Sequence, residues 1–143
     1  MATALFYQPQ CGIAGDMHLA ALIDLGVPAD YVQAELTRLG LGDTFTLQLS
    51  DAQKMGINGL NARVQTQDQH DHRHHSTIQQ MIRDAGFAPG IEQRALHIFQ
   101  AIAVAEGKIH NIEPEQVHFH EVGAIDSIVD IVAAAICIDY IQP

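Results

Sequence analysis

A chain of 143 residues that is 48% apolar is long enough for one core, and seventeen acidic against seven basic residues give it a formal charge of −10. Such a field repels phosphate backbones and attracts cations, which excludes nucleic acid as the main partner. No run of about eighteen apolar residues is present and MATALFYQPQCG lacks the regions of a secretory signal, so no membrane partner is expected and the cytoplasm is the default. Two cysteines, Cys11 and Cys137, make neither a disulfide framework nor a CxxC metal knuckle.

Taken in order, residues 3 to 9 (TALFYQP) read as a short buried strand ended by proline. CGIAGDM then leads into an apolar-periodic helix from Gly15 to about Leu25, so the unit is strand, loop, helix. Gly26 and Pro28 close that helix and open a second, to about Leu39. Residues 44 to 51 and 58 to 66 alternate apolar and polar around KMGING, the pattern of an antiparallel hairpin with one wet face. The tract QDQHDHRHH at 67–75 has no apolar residue and reads as a solvated loop.

Ser76 with Gln79 makes a capping-box start for a short helix to Ala85. Pro89 opens a longer helix whose Ile91, Ala95, Ile98, Phe99, Ile102 and Ile109 form a stripe expected to pack on a sheet. Val117 to Glu121 is a short extended piece, and Ile125 to Tyr140 is a helix apolar nearly all round, hence buried. This order predicts one α/β domain over residues 1–143, several helices on a small mixed sheet, with the histidine-rich loop at 67–75.

Chemistry concentrates at the end of the chain. In an extended segment His118 and His120 share one face about 7 Å apart, opposite Val117, Phe119 and Glu121. Asp126 and Asp130, four apart, share a face at the start of the last helix. Together they offer a mixed nitrogen–oxygen metal site or an acid–base site with a shifted pKa. The plainer reading is a helix cap, because Ser127 with Asp130 is itself a capping-box pattern. Four of the nine histidines, His70, His72, His74 and His75, fall in one tract suited to capturing borderline cations, or merely to being solvated. The loop Gly12, Ile13, Ala14, Gly15 and Asp16 offers backbone N–H groups to a phosphate at a helix start, though it is neither a P-loop nor GxGxxG. His97 and His110 read as surface residues of the long helix, and His18 is unassigned.

Three blocks, CGIAGDMHLAALIDLGVP, the histidine-rich tract and VHFHEVGAIDSIVDIVAAA, together resemble the nickel-insertion proteins of the LarC type, over essentially the whole chain. The resemblance implies nickel insertion into pyridinium-3,5-bisthiocarboxylic acid mononucleotide, by a nickel chelatase (a cyclometallase of the lyase class) that completes the nickel-pincer cofactor of lactate racemase-type enzymes and consumes CTP. It implies the cofactor phosphate at Gly12–Asp16, metal delivery through His118, His120, Glu121, Asp126 and Asp130, and a ring-proton acceptor among His118, His120 and Glu121. The family is longer, so this chain corresponds to its amino-terminal portion, as a fragment or half of a split gene. CTP, with a divalent metal, is expected only with a C-terminal domain or a split partner chain, and a homo-oligomer is left open. One departure stands out: Gln8 occupies a position where the family usually carries aspartate.

Other classes compete. A metal-storage or metallochaperone module would place the function in the histidine tract, and a metal-dependent phosphohydrolase would use HxHE with the two aspartates. A silent assembly domain would use neither.

Overall fold

The computed structural model describes residues 4–66 and 73–143. Five helices and four strands follow in the order α1 (Gly15–Asp24), α2 (Ala29–Leu36), β1 (Phe45–Lys54), β2 (Ile57–Thr66), β3 (Arg73–His74), α3 (His75–Asp84), α4 (Pro89–His110), β4 (His118–Phe119) and α5 (Ile125–Ile141). The mixed helix and strand class holds. The strands of the described residues form two separate antiparallel pairs, β1 with β2 and β3 with β4, in place of one small sheet.

Helix α5 lies at the centre because from Ile131 to Ile138, about two turns, nothing on it asks for water. Ile128, Val129, Val132, Ala133, Ala135, Ile136 and Cys137 are all fully buried, and α1, α2, α4 and β2 pack around the helix. Its alanines let neighbours approach while the branched residues fill the gaps. The α4 stripe of Ile91, Ala95, Phe99 and Ala103 is buried as the spacing requires. It packs on α3 and α5 rather than on a sheet, and Ile109, at its far end, is 80% exposed.

Among the described residues the predicted first strand does not form: residues 4 to 8 join no strand and Phe6 is 83% exposed. Instead the chain turns tightly, Gln10 N–H donating to the Gln8 carbonyl (2.9 Å) and Gly12 N–H to that of Pro9 (3.1 Å). Two expected capping boxes also fail to form. Helix α3 starts one residue before Ser76, with His74 as its cap, and α5 is capped by Ala124. The hairpin is longer than expected: its ladder runs to Lys54↔Ile57, and Met55 and Gly56 make a two-residue turn, both at positive φ.

Candidate functional site

Two groupings of side chains sit where the short β3–β4 pair and the last helix meet. In the first, β4 pairs with β3 so that His74 lies opposite His118. Their rings stack at 4.5 Å, and His118 and His120 follow at 5.5 Å. Three imidazoles, one from the histidine tract and two from HxH, therefore stand in a row. The alternation that aims them outward buries Val117 and Phe119 on the other side, where Phe119 meets Phe99 at 6.2 Å.

The second grouping gathers carboxylates. Asp16 and Asp126 sit in the first turns of α1 and α5, and each accepts the N–H of the next residue, Met17 at 2.7 Å and Ser127 at 2.8 Å. First-turn acids suit the positive helix end, which accounts for these two. Asp130, one turn further on, has no such partner. Its Oδ1 is buried without a hydrogen bond among the described residues. Burial first, then the charges of Asp16 and Asp126, push its carboxyl from 3.8 to about 6.

Gly15 is what lets α1 come this close. A Cβ there would run into the carboxylate of Asp130, 2.8 Å from its Cβ and its Cγ, so any side chain would drive the helices apart.

The turn Glu121–Ala124 joins the two groupings. Ala124 N–H donates to the Glu121 carbonyl (3.0 Å) and Ser127 Oγ–H approaches the same oxygen (3.4 Å). A Cβ on Gly123 would lie 2.8 Å from both Arg73 N and the Phe119 carbonyl oxygen. Glu121 itself is exposed beside His120.

The structure thus brings Asp126 and Asp130 together with Gly15 and Asp16, and His118 and His120 together with His74. His75 goes elsewhere: it is fully buried, its ring lies edge-on to Phe119 at 5.7 Å, and its Nδ1–H donates to the Pro114 carbonyl (3.1 Å). His70 and His72 lie outside the described residues. Among the described residues, no three His, Cys, Asp or Glu side chains already form a metal-binding group.

Sequence reasoning gave Tyr7 no role and left His18 unassigned. Tyr7 and His18 share a 3.0 Å hydrogen bond between the hydroxyl and Nε2, with rings edge-to-face at 5.3 Å. Partial burial lowers the His18 pKa, favouring neutral imidazole. His18 stands one helical turn after Gly15, which was the available signal. With Pro9, Ile13, Ala14 and Gly15 the pair lines a pocket of about 320 Å³. Of the predicted loop, Ile13, Ala14 and Gly15 line it, and Gly12 and Asp16 do not. Gly12, at φ 85°, closes the tight turn that leads into this loop.

A family model described as "Nickel insertion protein" matches residues 5–143. Relatives named pyridinium-3,5-bisthiocarboxylic acid mononucleotide nickel insertion protein include those of Clostridium acetobutylicum, 39% identical, and Clostridium kluyveri, 43% identical, each match covering 96% of this chain. The Akkermansia muciniphila protein of the same name is 40% identical over 97% of the chain. The matches span 41%, 38% and 36% of those relatives' own lengths. No solved structure matches.

Proposed function

The chain belongs to the nickel insertion protein family, and from that premise we propose that it gathers divalent nickel and presents it to pyridinium-3,5-bisthiocarboxylic acid mononucleotide. One observation carries this most: α1 closes onto α5 at Gly15, so that the unpartnered Asp130 carboxylate faces Asp16 and Asp126, one turn of chain away from the imidazoles of His118 and His120. Three acids forced together cost energy until a cation joins them. Imidazole and carboxylate are suitable donors for a borderline divalent ion.

In this reading nickel is cargo. His74, in the row with His118 and His120, receives it from the histidine tract, including His70 and His72. Asp126 and Asp130 complete its donor set, and Asp130 gives up its proton as the cation arrives. Forming a carbon–nickel bond hands the C–H electron pair to the metal and leaves a proton, which His118, His120 or Glu121 accepts; a neutral imidazole suits that task near neutral pH. His75, with Nδ1 committed to Pro114, supports β4 and does not ligate. The CTP-consuming step of a nickel chelatase falls to the further length present in the relatives, as a C-terminal domain or split partner chain.

The test is nickel and zinc titration of the tag-free chain, repeated with His70, His72 and His74 replaced and again with His118 and His120 changed to Ala. Leaving His75 in place spares the core. A stoichiometric site that survives the first change and is lost in the second supports the proposal. Binding that depends on the tract alone would instead make this a storage module.

A further inference from the structure

The pocket between Tyr7 and His18 is not needed to hold nickel, and its construction suits a different guest. Its lining is mostly apolar, from Pro9, Ile13 and Ala14, with one polar pair at its rim. At about 320 Å³ it has room for a substituted six-membered ring. Tyr7 is about half exposed and offers an open aromatic face. Gly15 is shared: one side lines this pocket while the other touches Asp130. The acids Asp16, Asp126 and Asp130 therefore lie just behind the pocket wall and make it electronegative. An apolar slot with an aromatic face and a negative backing is complementary to a flat cationic ring, which gains from the ring quadrupole and from the field together.

We propose that the Tyr7–His18 pocket seats the pyridinium ring of the mononucleotide, with Tyr7 as the recognition residue and His18 as the group that fixes the Tyr7 ring through its hydroxyl. This rests on the nickel-insertion reading for the identity of the ring, but not on any metal being bound. The same carboxylates disfavour a phosphate at the start of α1, so the phosphate points out of the pocket, away from Asp16.

The experiment uses nicotinic acid mononucleotide, a pyridinium ring on the same ribose phosphate, and uridine monophosphate, which has an uncharged ring. Binding to the whole chain is followed by calorimetry without nickel, and by the His18 imidazole NMR signals. Tyr7, the one altered residue, lies outside the core, and circular dichroism verifies folding of each variant. The expected result is that nicotinic acid mononucleotide binds more tightly than uridine monophosphate and shifts the His18 signals. Tyr7→Leu should weaken it about fivefold or more and Tyr7→Phe by about twofold at most. Equal affinity for the two nucleotides, unchanged affinity in Tyr7→Leu, or no binding by the unaltered chain at about 10 mM overturns the proposal. Ring binding of this kind without a stoichiometric nickel site would overturn the insertion reading alone; a nickel site with Tyr7-independent ring binding would overturn only this one.

Discussion

Replacing Asp130 by Asn should make the metal-free protein more stable at alkaline pH and leave it unchanged at acid pH. The Asp130 carboxyl rises from 3.8 to about 6 on folding, so the native state holds this proton more tightly than the unfolded chain. Its contribution is full below the unfolded value and is lost as pH climbs through about 6, the reverse of an ion-paired aspartate. A rise of roughly two units, at about 1.36 kcal/mol each, sets a ceiling of about 3 kcal/mol. Asp130 is only partly buried, and solvent screening brings the expected gain down to about 1–2 kcal/mol. Asn keeps the shape of the side chain against Gly15 and removes only the charge. Urea unfolding of both proteins, followed by circular dichroism, measures the difference at about pH 4 and about pH 8. Every other carboxylate titrates in both and cancels. A stability difference that stays constant between the two pH values, or Asn less stable at the higher one, would refute the account of Asp130 as a strained, unpaired charge. Added nickel should reverse the order if the acids hold it, because ligand then favours the ionised native state.

Gly15→Ala should cost about 2–4 kcal/mol, since its Cβ falls 2.8 Å from Asp130 Cβ and Cγ; combining it with Asp130→Ala should recover the part owed to the carboxylate but not the part owed to the remaining Cβ, and strict additivity in that double-mutant cycle would show the two side chains do not touch. Phe99→Ala opens the fully buried junction with Phe119 and should cost about 3–5 kcal/mol in the same unfolding assay. Met55→Gly relieves a positive φ of 51° at a side chain 95% exposed, so denaturation should show a gain of up to about 1 kcal/mol. In a thiol-reagent assay of the native protein one equivalent should react quickly, because Cys11 is exposed while Cys137 is buried with its thiol pushed up to about 12.

The long helices were legible because their signals are local. Pro89 with the Ile91–Ala95–Phe99 spacing sets α4, and the run from Ile131 to Ile138, without a polar residue, marks α5 as a central helix. The start of the chain was misread for the complementary reason. TALFYQP has strand composition, but composition does not choose a partner: among the described residues β1 and β2 pair with each other and neither takes up this segment, leaving Phe6 in water. At the site, helical spacing alone joined Asp126 to Asp130, and alternation alone joined His118 to His120. Asp16 joined the acids only through the packing of α1 on α5, which no spacing encodes. Adjacent His74 and His75 look alike in sequence, yet the first caps α3 on the surface and the second is buried under Pro114. Their difference comes from the β3–β4 pairing, which depends on residues forty-four positions apart, as in His74↔His118.

Gly123 acts as a length standard between the two halves of the site. Wedged against Arg73 and Phe119, and followed at once by the first turn of α5, it leaves the chain no slack with which to absorb an extra residue. One insertion between Glu121 and Ala124 would turn α5 by about 100° relative to the imidazoles, carrying Asp126 and Asp130 off the face they share with Asp16. The alternative is to shift a helix buried on nearly every side. Loops usually tolerate length changes better than helices do; here the loop is as intolerant as the core, so in this stretch the number of residues is part of the chemistry.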